Sequence, residues 1–167
     1  ADWDGKQVIA HFGSVTSNIY LFVNGCYVGY AEDSKMAAEF DITPYIKKGE
    51  NLLAFQTFRW SDGTYHEDQD FWRLSGVARE SYLFARDAKV HLDNIKITPD
   101  LTNGYADGTL DVNVAVSGKP VVDFQLLNTN GIVVAKSTAD FKKHGYGNIH
   151  FTLRNVKKWT AETPYLF

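Results

Sequence analysis

The chain has 167 residues, 44% of them hydrophobic and 22% charged, with a formal net charge of −3 and a pI near 5.9. That composition supports a packed core and excludes wholesale disorder, and its only basic clusters are the pairs Lys47-Lys48, Lys142-Lys143 and Lys157-Lys158, so nucleic acid is not an expected partner. A single cysteine, Cys26, excludes an internal disulfide, and no apolar run approaches the roughly 20 residues of a membrane helix, so no membrane partner is expected.

Apolar residues recur with a period of two almost throughout, which predicts strands. The first is Val8 to Phe12. Ile19, Leu21 and Val23 alternate with Tyr20 and Phe22, and Asn24-Gly25 separates them from a second run. Both turn positions tolerate positive φ, so this predicts a hairpin of strands near 18–24 and 26–32. Further strands are expected at Glu39 to Thr43, Leu52 to Trp60 and Ser81 to Arg86, with a short helical turn between Pro44 and Gly49. Beyond Asp87 aromatic residues thin out and the strands become aliphatic: Val90 to Thr98, Leu110 to Ser117, Val121 to Asn128, Ile132 to Ser137 and Ile149 to Arg154. Leu110, Val112, Val114 and Val116 share one face, as in a half-buried sandwich strand, and the spacing of strands and Asn/Gly turns fits a small immunoglobulin-like Greek key. The expected domain boundary is Arg86 to Ala88.

The segment 59–76, RWSDGTYHEDQDFWRLSG, carries the densest chemistry. Asp62, Glu67, Asp68 and Asp70 repel one another, so relief is expected from Arg59, Arg73 or Arg79, from a cation, or from a sugar's hydroxyls. Trp60, Tyr65, Phe71 and Trp72 offer flat apolar faces that suit either core packing or sugar rings. Asp62, between Ser61 and Gly63, reads as a turn former, and His66 as an exposed loop residue. An ion-pair network pinning a structural loop is the competing reading.

These residues resemble a known family. LFVNGCYVGYAEDSKMAAEFDIT, KKGENLLAFQTFRWSDGTYHEDQDFWRLSG and VARESYLFARD are similar to the sugar-binding domain of bacterial β-galactosidases of glycoside hydrolase family 2. The second half, closing on WTAETPYLF, resembles the immunoglobulin-like domain that follows it. The resemblance implies an all-β chain, with a jelly-roll β-sandwich over 1–87 that lacks the family's N-terminal strands and an immunoglobulin-like β-sandwich over 88–167. It implies a non-catalytic fragment of a retaining enzyme acting on terminal β-galactosides, whose acid/base and nucleophile lie in a TIM barrel elsewhere in the same polypeptide. It assigns substrate binding and sodium ligation to Asp70, leaves Glu67 and Asp68 as further candidates, supplies no catalytic residue here, and implies sodium and magnesium for the intact enzyme, with a homo-oligomer as a further expectation.

Two rival readings follow from the residues themselves. Asp68 and Asp70 on one extended strand would sit about 7 Å apart on one face, suiting an inverting glycosidase pair. Alternatively, tandem sandwiches suit a free-standing carbohydrate-binding or adhesive module.

Overall fold

The computed structural model describes residues 3–66, 69, 70, 72, 74–142 and 145–167. It is nearly all-β, as expected, and divides into two compact units, Ala1–Ala88 and Lys89–Phe167.

In the first unit the chain forms β1 (Lys6–Phe12), β2 (Val15–Val23), β3 (Cys26–Asp33), β4 (Ala38–Asp41), a 3-10 turn (Thr43–Tyr45), β5 (Leu53–Gln56), α1 (Asp62–His66), β6 (Gly76–Val77) and β7 (Ser81–Asp87). Two antiparallel sheets result. One is ordered β4–β1–β7; in the other β2 pairs with β3 along one edge and with β6 and then β5 along the other. Val8, Ala10 and Phe12 of β1 share a core with Val15, Ile19, Leu21 and Val23 of β2, each 5% exposed or less. Burying a large aliphatic or aromatic side chain of this kind contributes about 1.5–3 kcal/mol, so this layer carries much of the unit's stability.

The β2–β3 hairpin turns at Asn24 and Gly25, with φ of 52° and 82°. The Asn24 side chain is fully engaged: its amide donates to the Tyr45 carbonyl at 2.8 Å and to Asn51 at 2.9 Å, and its oxygen accepts the Leu52 N–H at 3.0 Å. One turn residue thereby ties the 3-10 turn and the start of β5 to the hairpin.

The second unit contains β8 (His91–Thr102), β9 (Asp107–Ser117), β10 (Val121–Leu127), β11 (Val133–Asp140) and β12 (Tyr146–Leu153), in sheets ordered β12–β9–β8 and β10–β11. Val112, Val114, Val116, Phe141, Ile149 and Phe151 form its buried core, packed by Val122, Phe124, Ala135 and Ala139 from β10 and β11.

Two strand ends lie 4 residues from those expected, each for a physical reason, and one expected loop is partly helical. β5 ends at Gln56 rather than Trp60, because at Phe58 the side chains of Ser17 and Asn18 in β2 take part in the bonding in place of a regular backbone ladder. β8 runs through Pro99 to Thr102 rather than stopping at Thr98. Proline lacks a donor, but among the described residues β8 pairs only with β9, and an outer strand accommodates it. In 59–76, the residues from Asp62 to His66 form one helical turn where a loop was expected.

Candidate functional site

The segment between β5 and β6 is held at both ends against β2. At its start, Asn18 Oδ1 accepts the Phe58 N–H at 2.9 Å, and the Ser17 hydroxyl donates to the Phe58 carbonyl at 3.0 Å. Ser17 and Asn18 are 1% and 4% exposed, polar residues inside a strand whose neighbours are core. Their burial is tolerated because each is satisfied by the departing chain. At its end, Gly76 and Val77 pair with Thr16 and Val15, and the Ala78 N–H donates to the Ser14 carbonyl at 3.1 Å.

Between these anchors, α1 is fastened to β3. Glu32 Oε1 accepts the Gly63 N–H at 2.6 Å, while the Tyr30 hydroxyl donates to the other carboxylate oxygen. Donors from Tyr30, then Ser61, then the Gly63 amide hold the Glu32 carboxyl down to about 2. Tyr30 is pushed up to about 12, first by its partial burial and then by the Glu32 carboxylate it donates to. A Cβ at Gly63 would stand 2.6 Å from Glu32 Oε1, so a larger residue there would displace the carboxylate. Ser61 and Thr64 close the turn, through Ser61 N–H to Thr64 Oγ1 at 3.1 Å and Thr64 N–H to the Ser61 carbonyl at 3.2 Å.

Tyr30 and Glu32 belong to a wider aromatic face on the outer side of the β2 sheet. Tyr20 meets Tyr30 at 4.6 Å and Phe58 at 5.9 Å between ring centres, and Phe22 meets Tyr27 at 5.6 Å. Sequence reasoning missed Glu32, although a signal was available: a carboxylate two residues after Tyr30 falls on the same face of a strand.

Of the site residues expected from sequence, Asp70 is described and lies exposed in a bend; Glu67 and Asp68 lie outside the described residues, as do Phe71 and Arg73. Asp62 opens α1, and His66, closing it, is exposed. Trp60 and Trp72 are 52% and 84% exposed, so neither packs into the unit's core. The expected arginine relief takes another form. The Arg59 guanidinium lies 5.2 Å from the centre of the Trp60 ring, and Arg79 donates to the Lys35 carbonyl at 2.9 Å. Among the described residues, no ion pair meets Asp62 or Asp70.

Trp60, Trp72, Arg59, Thr64 and Gln69 line a small cavity of about 40 Å³. Pockets that enclose a small-molecule ligand run to about 300–1,000 Å³, so this concavity is one wall and not a complete binding site. Asp70 is an oxygen donor suited to a hard cation, yet no group of three or more His, Cys, Asp or Glu gathers among the described residues.

Comparison with known proteins fits this geometry. Residues 1–87 match the model for "Glycosyl hydrolases family 2, sugar binding domain", and residues 90–167 match that for "Glycosyl hydrolases family 2". A β-galactosidase of Priestia megaterium is 34% identical over the whole of this chain, and one of Photobacterium profundum is 38% identical over the whole of it. The chain spans 17% of the length of each. Among solved structures, a Bifidobacterium dentium β-glucuronidase superposes with a TM-score of 0.78 over 97% of this chain and 33% of its own, at 22% identity. A β-glucuronidase from an uncultured Clostridium gives 0.80 over 98% and 29%, at 19% identity. At such identities the likeness speaks for the fold, while the two family models cover nearly every residue: the chain belongs to glycosyl hydrolase family 2.

Proposed function

We propose that the chain is the sugar-binding and second β-sandwich portion of a retaining β-galactosidase, contributing one wall of the substrate pocket and no catalytic carboxylate. The observation that carries the reading is the identity of 34–38% to β-galactosidases across the chain's full length. The exposed, incomplete wall around Trp60 and Trp72 supports it, since a surface with exposed aromatic faces gains from a partner that closes it. In this reading Asp70 accepts hydroxyl hydrogens from the galactosyl ring and gives one oxygen to sodium, with Glu67 and Asp68 beside it. The other sodium ligands, and those of magnesium, come from the catalytic barrel of the same polypeptide. When bound, the cation would supply fixed positive charge against which sugar oxygens orient. The role of this chain's own residues is to hold Asp70 on a segment clamped at both ends.

The test uses an aryl β-galactoside. The 167-residue chain alone should give no turnover. In the longer polypeptide, Asp70→Ala should lower kcat/KM by at least about ten- to a hundredfold, from the loss of charge-assisted hydrogen bonds worth about 1.5–3 kcal/mol. Sodium should cease to stimulate that variant. Unaltered activity and sodium response in folded Asp70→Ala would return Asp70 to a structural role. The second reading, a free-standing sugar-binding module, draws on the exposure of Trp72 and Tyr65, 84% and 76%. Saturable galactose binding by the 167-residue chain itself would favour it.

A further inference from the structure

The outer face of the β12–β9–β8 sheet carries a relay of hydrogen bonds far from anything a sugar-binding wall needs. Val112, Ile149 and Phe151 turn into the core, so the residues alternating with them, Asp111, His150 and Thr152, turn outward. His150 stands directly opposite Asp111 in the β12–β9 register, and its Nδ1 meets the Asp111 carboxylate at 2.9 Å. Thr152, two residues further along β12 on the same face, brings its hydroxyl to 3.2 Å from His150 Nε2. A carboxylate only accepts, so in the neutral imidazole the proton sits on Nδ1 and Nε2 accepts from the Thr152 hydroxyl. Hydroxyl, imidazole and carboxylate thus stand in the order that a nucleophile, its base and the group orienting that base require.

The surroundings decide what such a relay can do. The side chains of His150 and Asp111 are 51% and 45% exposed, so a small reagent reaches them without any opening of the fold. Thr109 lies directly opposite Thr152 in the register, which sets their Cβ atoms about 5 Å apart. Its hydroxyl has no hydrogen-bond partner among the described residues and is available as a donor beside Thr152. His11 offers a contrast within the same chain. Its Nδ1 lies 2.8 Å from Glu39, but Tyr82 stacks on its ring at 4.4 Å, and among the described residues no hydroxyl bonds its other nitrogen.

We propose that Thr152 is a self-acylation site, taking acyl groups from activated esters such as aryl esters and thioesters. As the Thr152 oxygen attacks the ester carbonyl, its proton passes to His150 Nε2, and Asp111 steadies the imidazolium that forms. The Thr109 hydroxyl donates to the carbonyl oxygen while that oxygen is negative. Collapse then breaks the bond to the aryl oxygen or thioester sulfur, and the Nε2 proton leaves with that group as a phenol or a thiol. The acyl group stays on Thr152, because its release by water has to expel an alkoxide, a poorer leaving group than an aryloxide or a thiolate. The product is therefore a modified chain. The inference is independent of the reading of the first unit as part of a β-galactosidase.

The experiment incubates the 167-residue chain with p-nitrophenyl acetate in neutral buffer and follows acetylation residue by residue through peptide mass spectrometry. Thr152 should take acetyl at least about tenfold faster than any other serine or threonine, less than a positioned base gives in an enclosed site because this one is open to water. His150→Gln should abolish that advantage. Asp111→Asn should reduce it, since an amide no longer fixes the imidazole tautomer, and Thr152→Ser should keep it. His11→Gln should leave it unchanged. Acetylation of Thr152 no faster than that of Thr98, an exposed threonine on the same face, would overturn the proposal and leave the relay a cross-strand contact only. That comparison is made within the unsubstituted chain and needs no variant to fold. An advantage that survives His150→Gln would equally overturn it, as would acetyl found on His150 with none on Thr152.

Discussion

Glu32 shows how much one side chain organises beyond its own strand. Its carboxylate takes the Gly63 amide and the Tyr30 hydroxyl, so Gly63→Ala must push it aside, and Glu32→Ala must leave the same donors unmet. Each substitution should cost about 1 kcal/mol, less than the usual worth of a charged hydrogen bond because solvent screens the site. The double substitution should cost little more than either alone, read from urea midpoints, since both break one latch. The pH dependence has a definite sign. A carboxyl held near 2 when folded and near its ordinary value of 4.5 when unfolded adds stability that is complete above the unfolded value. That stability is lost as pH falls from about 4.5 through 2. Tyr30, raised from 10 to about 12, mirrors it: its contribution is complete below 10 and is lost as pH rises through 12. Glu32→Gln should remove the acid-limb increment from the stability profile and move the Tyr30 phenol titration back toward 10, measured by ultraviolet absorbance against Tyr30→Phe.

β2 is the element on which the candidate site depends, because it is paired on both edges and its interior polar pair captures the chain leaving β5. Asn18→Ala should leave the Phe58 N–H without its partner and cost about 1–3 kcal/mol. Release of that anchor should speed tryptic cleavage after Arg59 before other sites respond. Most strands were legible because the period of two survives wherever one face is buried, and the Asn24-Gly25 turn was legible because its backbone demands those residues. The end of β5 was not, since its cause is a hydrogen bond to residues 40 positions earlier. The run of β8 through Pro99 depended on which strand lies at the edge, a property of topology and not of local pattern. For the site, segment 59–76 announced itself by composition. The carboxylate that fastens it did not, because Glu32 lies in a strand remote from it in sequence and close only in the fold.

At the scale of the whole molecule, two separate cores imply separable stability. Leu21→Ala, at a residue with no exposure in the first unit, should destabilise that unit by about 2–5 kcal/mol, and Val114→Ala should act on the second. Calorimetry should show each substitution shifting its own transition and leaving the other within a few tenths of a kcal/mol. The two cores also age in different company. Asn-Gly pairs turn into aspartate and isoaspartate when the glycine nitrogen attacks the side-chain carbonyl, and this chain has three, at Asn24, Asn103 and Asn130. The clamp that holds both amide atoms of Asn24 resists that attack, whereas the side chain of Asn130 is exposed and makes no hydrogen bond among the described residues. Stored protein should therefore drift to a more negative charge through its second unit first, while the hairpin beside the candidate site keeps its chemical identity longest.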